Sequence, residues 1–126
     1  MSSLGHRNVR RGVSLERRVA KFLGGRRFWV SSGERIDVES SHFLVQTKKV
    51  TKMSLVELVG LVEEMGGWAN TDRTDTFGHS WKDKVGMVAI ELFRKGVAVR
   101  SPTIYCMTED QLFKLFQKAN FNHQLP

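Results

Sequence analysis

Four polar residues stand on predicted elements where packing does not explain them. Asp37 alternates with apolar neighbours on one predicted strand, and Gln46 and Lys48 lie on the polar face of the next strand. If these strands pair, the three side chains converge on one side of a sheet, and Glu16 on the first predicted helix can lean over the same place. Carboxylate, amide and backbone oxygens suit Mg²⁺, and a neighbouring lysine can stabilise charge developing on a phosphate. The arrangement therefore predicts the chemistry of phosphodiester hydrolysis.

Hydrophobic periodicity predicts the elements that must position these residues. The predicted helices cover 13–23, 55–65 and a stretch from Thr108 through Ala119, and the predicted strands cover 27–32, 34–39, 42–50, 85–93, 97–99 and 104–107. This order predicts an α/β (α+β) fold in which one mixed central sheet is flanked by helices. We expect a single domain over 1–126, with a basic arm at 1–12, a long polar loop at 68–84 and a flexible tail at 120–126.

Two capping boxes predict where helices begin, Ser54 with Glu57 and Thr108 with Gln111. The helix after Ser54 is expected to end at the glycines at 66 and 67. It carries more apolar residues than one buried stripe needs, which favours cover on two sides, including by a second copy of the chain. Its predicted buried stripe is formed by Leu55, Leu58, Val59 and Val62.

The positive charge is concentrated near the N-terminus. The 126 residues carry a net charge of +7, from 20 Lys and Arg and 13 Asp and Glu. Between Gly5 and Arg27, eight basic residues stand against a single acid, Glu16, so the remainder of the chain is balanced. A basic patch on a neutral body suits a polyanion such as nucleic acid, whereas a solvated basic surface is the alternative interpretation.

Composition excludes several classes of protein. Hydrophobic residues make up 40% and charged residues 26%, which is typical of a globular domain. Cys106 is the single cysteine and cannot form an internal disulfide. No apolar run approaches the roughly 18 residues that a membrane helix needs, and no apolar segment follows the basic N-terminus. We therefore expect neither a membrane segment nor a secretory signal. The expected location is cytoplasmic.

The order and spacing of these polar residues resemble a known family. Glu16 on the first helix, Asp37 nine residues before Gln46, and the strand Phe-Leu-Val-Gln-Thr-Lys ending at Lys48 are similar to the PD-(D/E)xK nuclease superfamily. The opening Gly-Val-Ser-Leu-Glu-Arg-Arg-Val-Ala-Lys-Phe-Leu-Gly over 12–24 resembles the start of archaeal and phage Holliday-junction resolvases. The resemblance covers roughly 7–118. It implies a restriction-endonuclease-like αβββαβ core and an endonuclease that uses Mg²⁺ or Mn²⁺.

The resemblance also implies a role for each residue. Asp37 is expected to be the central metal ligand, the Thr47 backbone carbonyl a further ligand, and Lys48 the catalytic lysine. Glu16 takes the place of the helix acid and a further ligand. Gln46 occupies the ligand position usually held by a glutamate, and its neutral amide binds Mg²⁺ more weakly than a carboxylate does. Some restriction enzymes of the superfamily carry the same QxK sequence, so the departure leaves activity open.

Each of these residues also has an ordinary interpretation. Asp37 and Glu39 can be solubilising acids that pair with Lys48 and Lys49 across strands. Under the metal-site hypothesis, Glu39 can instead replace the charge that Gln46 lacks. The basic residues expected to contact DNA phosphates are Arg7, Arg10, Arg11, Arg17, Arg18, Lys49 and Lys52.

These observations predict a metal-dependent DNA endonuclease, above all a resolvase of four-way Holliday junctions. Cutting two strands symmetrically requires two sites, so this hypothesis predicts a homodimer. A restriction-like or nicking endonuclease of the same superfamily, acting on duplex DNA, is one alternative. A catalytically silent DNA-binding protein that keeps the basic surface is the other.

Overall fold

A computed structural model of the chain describes residues 14–27, 36–75, 77–97 and 101–119. The predicted basic arm, most of the first predicted strand, most of the short strand predicted at 97–99 and the tail lie outside these residues.

The described residues form three helices, five strands and one turn of 3₁₀ helix. The helices are α1 (14–23), α2 (Leu55–Trp68) and α3 (Glu109–Lys118), and the 3₁₀ turn is Trp81–Asp83. The strands are β1 (Arg26–Arg27), β2 (Val38–Glu39), β3 (Phe43–Val50), β4 (Val85–Leu92) and β5 (Ile104–Cys106). This arrangement confirms the predicted α+β fold with a mixed sheet flanked by helices.

The five strands form one sheet in the order β1-β2-β3-β4-β5. Neighbouring strands are antiparallel except for the central pair β3 and β4, which are parallel from Phe43 opposite Val85 to Val50 opposite Leu92. A parallel pair needs a crossover connection, and α2 lies in the connection between these two strands. The sheet therefore has its longest and most buried pairing at its centre.

Side chains on β3 and β4 alternate between two apolar clusters, which define two faces of the sheet. On the α1 face, Leu15 and Val19 of α1 pack against Val38, Val45 and Met87. The α2 face is formed by Ile36, Leu44, Leu61, Val62, Met65, Ala69, Trp81 and Val88. Each polar residue of β3 must therefore face one of these two helices.

Gly86 allows α2 to approach β4 closely. A Cβ atom at this position would lie 2.1 Å from the carbonyl oxygen of Met65, so no side chain fits. The Gly86 N–H donates to Oε1 of Gln111, which is fully buried on α3. The capping box predicted for Thr108 is therefore wrong: Thr108 makes no side-chain cap bond, and its hydroxyl donates to Asp110.

The start of α2 is as predicted, but its end and its buried face are not. The Ser54 hydroxyl accepts from the Glu57 N–H at 3.1 Å, which confirms the cap. The helix passes through both glycines and ends at Trp68, because Gly66 is buried against α3. Of the predicted stripe only Val62 is buried, and the buried positions are Leu61, Val62, Met65 and Gly66. The exposed apolar residues of α2 are Leu55, Val56 and Val59.

The predicted polar loop has an ordered anchor. Trp81 is buried, and its ring meets that of Trp68 edge-on with centroids 6.4 Å apart. The Arg73 guanidinium lies over both rings, at 4.9 and 5.4 Å, and Thr74 forms a β-bridge with Ser80. The two tryptophans therefore hold this loop against the α2 face.

Among the described residues, no helix combines the length and the apolar character needed to cross a membrane.

Candidate functional site

Asp37 lies immediately before β2, where the ladder between β2 and β3 ends. Its N–H donates to the Val45 carbonyl at 2.9 Å, and its Oδ2 accepts from the Thr47 N–H at 2.8 Å and the Thr47 hydroxyl at 3.2 Å. The β2–β3 register would set Thr47 opposite Ile36, so the carboxylate replaces the backbone acceptor that a longer strand would supply. The half-buried carboxylate is thereby fixed beside the middle of β3.

The alternation predicted around Asp37 is interrupted in the structure. Ile36 and Val38 were expected on one face, yet Ile36 packs in the α2-face cluster and Val38 in the α1-face cluster. The backbone turns at Asp37, because this residue bonds the edge of β3 instead of continuing the pleat. Its carboxylate consequently lies at the strand edge, where backbone groups of β3 point.

Gln46 is 3% exposed and stands opposite Val88 in the parallel pairing, so its side chain lies on the α2 face. Its Oε1 has no hydrogen-bond partner among the residues that the structure describes. A buried amide oxygen without a donor costs free energy, on the order of 1–3 kcal/mol. This oxygen therefore has no structural role among the described residues.

Thr47 and Lys48 follow Gln46 on β3 with different orientations. Hydrogen bonds of Phe43, Val45 and Thr47 are directed towards β2, so the Thr47 carbonyl points to the same strand edge as Asp37. Lys48 stands opposite Ile90 on the α2 face and is half-buried. Asp37 and Thr47 are thus in direct contact, with Gln46 and Lys48 next along the strand.

Glu16 lies on the other side of the sheet. It accepts from Arg27 Nε at 2.8 Å, and Arg27 pairs with Val38 in the β1–β2 ladder. The expectation that the first helix leans over Gln46 and Lys48 is wrong, because α1 buries its apolar stripe on the opposite face of β3. The structure therefore joins Asp37 to Thr47, places Gln46 and Lys48 on either side of Thr47 along β3, and sets Glu16 on the opposite face.

The basic residues expected to contact DNA fall into three groups. Arg7, Arg10 and Arg11 lie outside the described residues, whereas Arg17 and Lys52 are exposed. The remaining two, Arg18 and Lys49, both contact the carboxylate of one acid, Glu91.

Glu91 is a charged residue that the sequence analysis did not single out. It is 2% exposed on β4, bonded by Arg18, with Lys49 Nζ 3.4 Å away. Burial opposes its ionisation, but the two cations outweigh burial and lower the pKa of Glu91. An acid inside an otherwise apolar strand was the available signal. Its contacts tie Arg18 of α1 and Lys49 of β3 to β4.

The donor set at the β2–β3 edge fits a hard cation in its chemistry. It consists of the Asp37 carboxylate, the Thr47 backbone carbonyl and the buried Gln46 amide oxygen, which has no partner within the described ranges. Mg²⁺ and Mn²⁺ prefer oxygen ligands of these kinds. Within the described ranges, no three His, Cys, Asp or Glu side chains are grouped closely enough to hold a metal ion. Any cation here must therefore rely on the amide and the backbone.

In comparisons with known proteins, no family model, no curated protein and no solved structure matches the chain.

Proposed function

We propose that this chain is a metal-dependent DNA endonuclease whose site lies at the β2–β3 edge, with four-way branched DNA as its substrate. Two neighbouring observations carry the proposal: Asp37 is fixed on Thr47 by hydrogen bonds, and the preceding residue of β3, Gln46, has a buried amide oxygen with no partner among the described residues. Asp37, Gln46 and the Thr47 carbonyl would hold Mg²⁺ or Mn²⁺. When bound, such an ion activates water and neutralises charge on a phosphate.

The chain's own groups around that edge suit a phosphodiester. Thr47 fixes the Asp37 carboxylate through two hydrogen bonds, so the carboxylate needs no reorganisation to act as a ligand. Lys48 is half-buried two residues from Gln46, and its ammonium is suited to holding a non-bridging phosphate oxygen. Arg17 and Lys52 offer exposed charges for the flanking phosphates.

A homodimer forms part of the proposal, because symmetric cleavage of a junction needs two sites. Leu55 and Val56 on α2 are 75% and 85% exposed and supply an apolar surface for a second copy. The proposal places this activity on DNA inside the cell.

A catalytically silent DNA-binding protein is the second candidate. Two observations favour it: Glu16 is engaged by Arg27 on the opposite face, and Gln46 brings no negative charge. Under this hypothesis the basic surface binds DNA, and the β2–β3 edge binds no metal.

Cleavage of a synthetic four-way junction and of its linear arms, with Mg²⁺, with Mn²⁺ and with EDTA, distinguishes these candidates. We expect metal-dependent cleavage that favours the junction and is lost in Asp37→Asn and Lys48→Ala. Comparable cleavage of the linear arms would instead indicate a restriction-like or nicking enzyme.

Matched controls are Asp72→Asn and Lys95→Ala, which alter exposed residues away from this edge. Cleavage that survives Asp37→Asn would refute the site. DNA binding with no cleavage under any metal condition would favour the silent protein.

A further inference from the structure

A pocket lies at the β1 edge of the sheet, apart from the Asp37 site. It has a volume of about 290 Å³ and lies between the end of α1, the β2–β3 turn and the anchored loop. The lining residues that matter here are Gly25, Arg26, Glu39, Asp75, Phe77 and His79. Gly25 is required at its wall, because a Cβ atom there would lie 2.4 Å from the Glu39 carbonyl oxygen.

Glu39 gives the pocket its chemical preference. It is 3% exposed, and its Oε1 accepts from Arg26 Nη2 at 3.2 Å. Its buried Oε2 has no hydrogen-bond partner among the described residues. Carboxylate oxygens accept hydrogen bonds, so this oxygen suits an N–H donor from a ligand. An anionic group is disfavoured at the same place by charge repulsion.

Asp75 makes the opposite wall rigid. Its Oδ1 accepts from the N–H groups of Phe77 and His79, both at 2.8 Å, and its Oδ2 accepts from the buried Lys84 at 2.7 Å. His79 Nδ1 lies 3.1 Å from the same Oδ2, within hydrogen-bond distance of the carboxylate. The pocket is therefore held in shape by several bonds.

Phe77 supplies an exposed aromatic surface at the mouth. Its side chain is 70% exposed, and the Arg26 guanidinium lies 4.6 Å from the ring centroid. Aromatic side chains of this kind stack on unpaired nucleobases, while a neighbouring cation attracts the attached backbone. The mouth thus offers stacking and positive charge, and the interior offers a hydrogen-bond acceptor.

We infer that this pocket binds an unpaired nucleobase, stacked on Phe77, whose exocyclic amino group donates to Glu39 Oε2. The inference rests on the proposed function, because the ligand is taken to be DNA. Cytosine, adenine and guanine each carry such an amino group. Thymine does not, and its single N–H is flanked by two carbonyl oxygens that would face the carboxylate. The pocket therefore selects against thymine.

The test compares the binding of fluorescent oligo-dC and oligo-dT of equal length by anisotropy, in EDTA and at fixed salt. Phosphate contacts contribute equally to both oligonucleotides, so the ratio of dissociation constants isolates the base. We expect oligo-dC to bind roughly tenfold more tightly, the order of one hydrogen bond to a charged group.

Two variants probe the two parts of the pocket. In Glu39→Gln, Arg26 continues to donate a hydrogen bond to the side-chain oxygen, which now belongs to an amide. The amide N–H₂ then takes the place of Oε2 and faces the base. The preference for oligo-dC should therefore be lost or reversed. Phe77→Ala removes an exposed side chain and should weaken the binding of both oligonucleotides by about fivefold or more. Asp72→Asn serves as the surface control and should leave the ratio unchanged.

Equal affinity for both oligonucleotides would overturn the inference, as would a ratio unchanged in folded Glu39→Gln or no measurable binding to either. Because EDTA prevents cleavage, a chain that binds with the expected ratio but cuts no DNA would support the pocket and refute the nuclease.

Discussion

Replacing Lys84 by methionine removes one partner of a fully buried ion pair. Lys84 is 0% exposed, and its ammonium donates to the Asp75 carboxylate and to the Ser40 carbonyl. The variant leaves the Asp75 carboxylate buried without its cation, and breaking such pairs typically costs about 3–5 kcal/mol. Two backbone N–H groups still bond Asp75, so we expect a loss near the lower end, about 3 kcal/mol.

That loss is large against the 5–15 kcal/mol by which domains are ordinarily stable. At roughly 4 °C per kcal/mol for a chain of this length, the melting temperature should fall by about 12 °C. Urea unfolding and thermal melts at pH 7 measure both quantities. The matched control is Lys82→Met, because Lys82 is 55% exposed and pairs with exposed Asp72; we expect a change within about 0.5 kcal/mol.

The loss should also depend on pH with a defined sign. Burial alone would raise the pKa of Asp75, but Lys84 and the two backbone N–H groups outweigh burial and lower it far below its usual range. The wild-type pair therefore stabilises the fold above about pH 4 and stabilises it less as the pH falls below that value. Without Lys84, the pKa of Asp75 rises and protonation relieves the buried charge. The difference between wild type and variant should consequently shrink from pH 7 to pH 3.

A double variant completes this test. Adding Asp75→Asn to Lys84→Met removes the uncompensated charge and should recover about 1–2 kcal/mol. A loss below about 1 kcal/mol in the single variant, or a difference that stays constant with pH, would refute the buried-pair reasoning.

Three further predictions concern other parts of the molecule. Gln46→Glu should lower the melting temperature without metal, since it buries an unpaired carboxylate, and should give a larger Mg²⁺-dependent rise in melting temperature than wild type. Gly86→Ala should destabilise the fold by about 1–3 kcal/mol in urea unfolding, because its methyl group meets the α2 backbone. Glu91→Gln should cost about 1–3 kcal/mol at pH 7, and, because the pKa of Glu91 is lowered in the fold, this cost should diminish below about pH 4 in urea titrations.

Each of these three has a clear contrary result. An equal Mg²⁺ response in Gln46→Glu and wild type would argue against ligation by this residue. Unchanged stability in Gly86→Ala would contradict the close approach of α2 to β4. A cost for Glu91→Gln that persists at pH 3 would assign its role to packing instead of charge.

The elements with strong local signals were predictable from the sequence. Ser54 caps α2 as expected, and the alternation over β3 correctly separated Leu44 and Gln46 from Val45. Period-two alternation states which residues share a face, but it does not state which helix covers that face. Both faces of β3 carry apolar residues, so the position of α1, and with it Glu16, depended on tertiary packing.

Contacts made by irregular segments could not be predicted. Asp75 and Lys84 belong to the loop before β4, where no periodicity relates them, yet the buried Lys84 bonds both Asp75 and the Ser40 carbonyl beside the β2–β3 turn. Gln111 matched a local capping motif, yet the Gly86 N–H of β4 recruited its side chain. In each case a distant partner outweighed the local pattern.

Helix α3 supplies hydrogen-bond partners to backbone groups of β4 and of the segments beside it. Gln111 gives the Gly86 N–H its acceptor, and Lys114 donates to the carbonyls of Ala69 and Lys84, at the end of α2 and just before β4. A chain without α3 would leave the Gly86 N–H and the carbonyls of Ala69 and Lys84 without these partners. The docking of this helix is therefore coupled to the completion of the core on the α2 face.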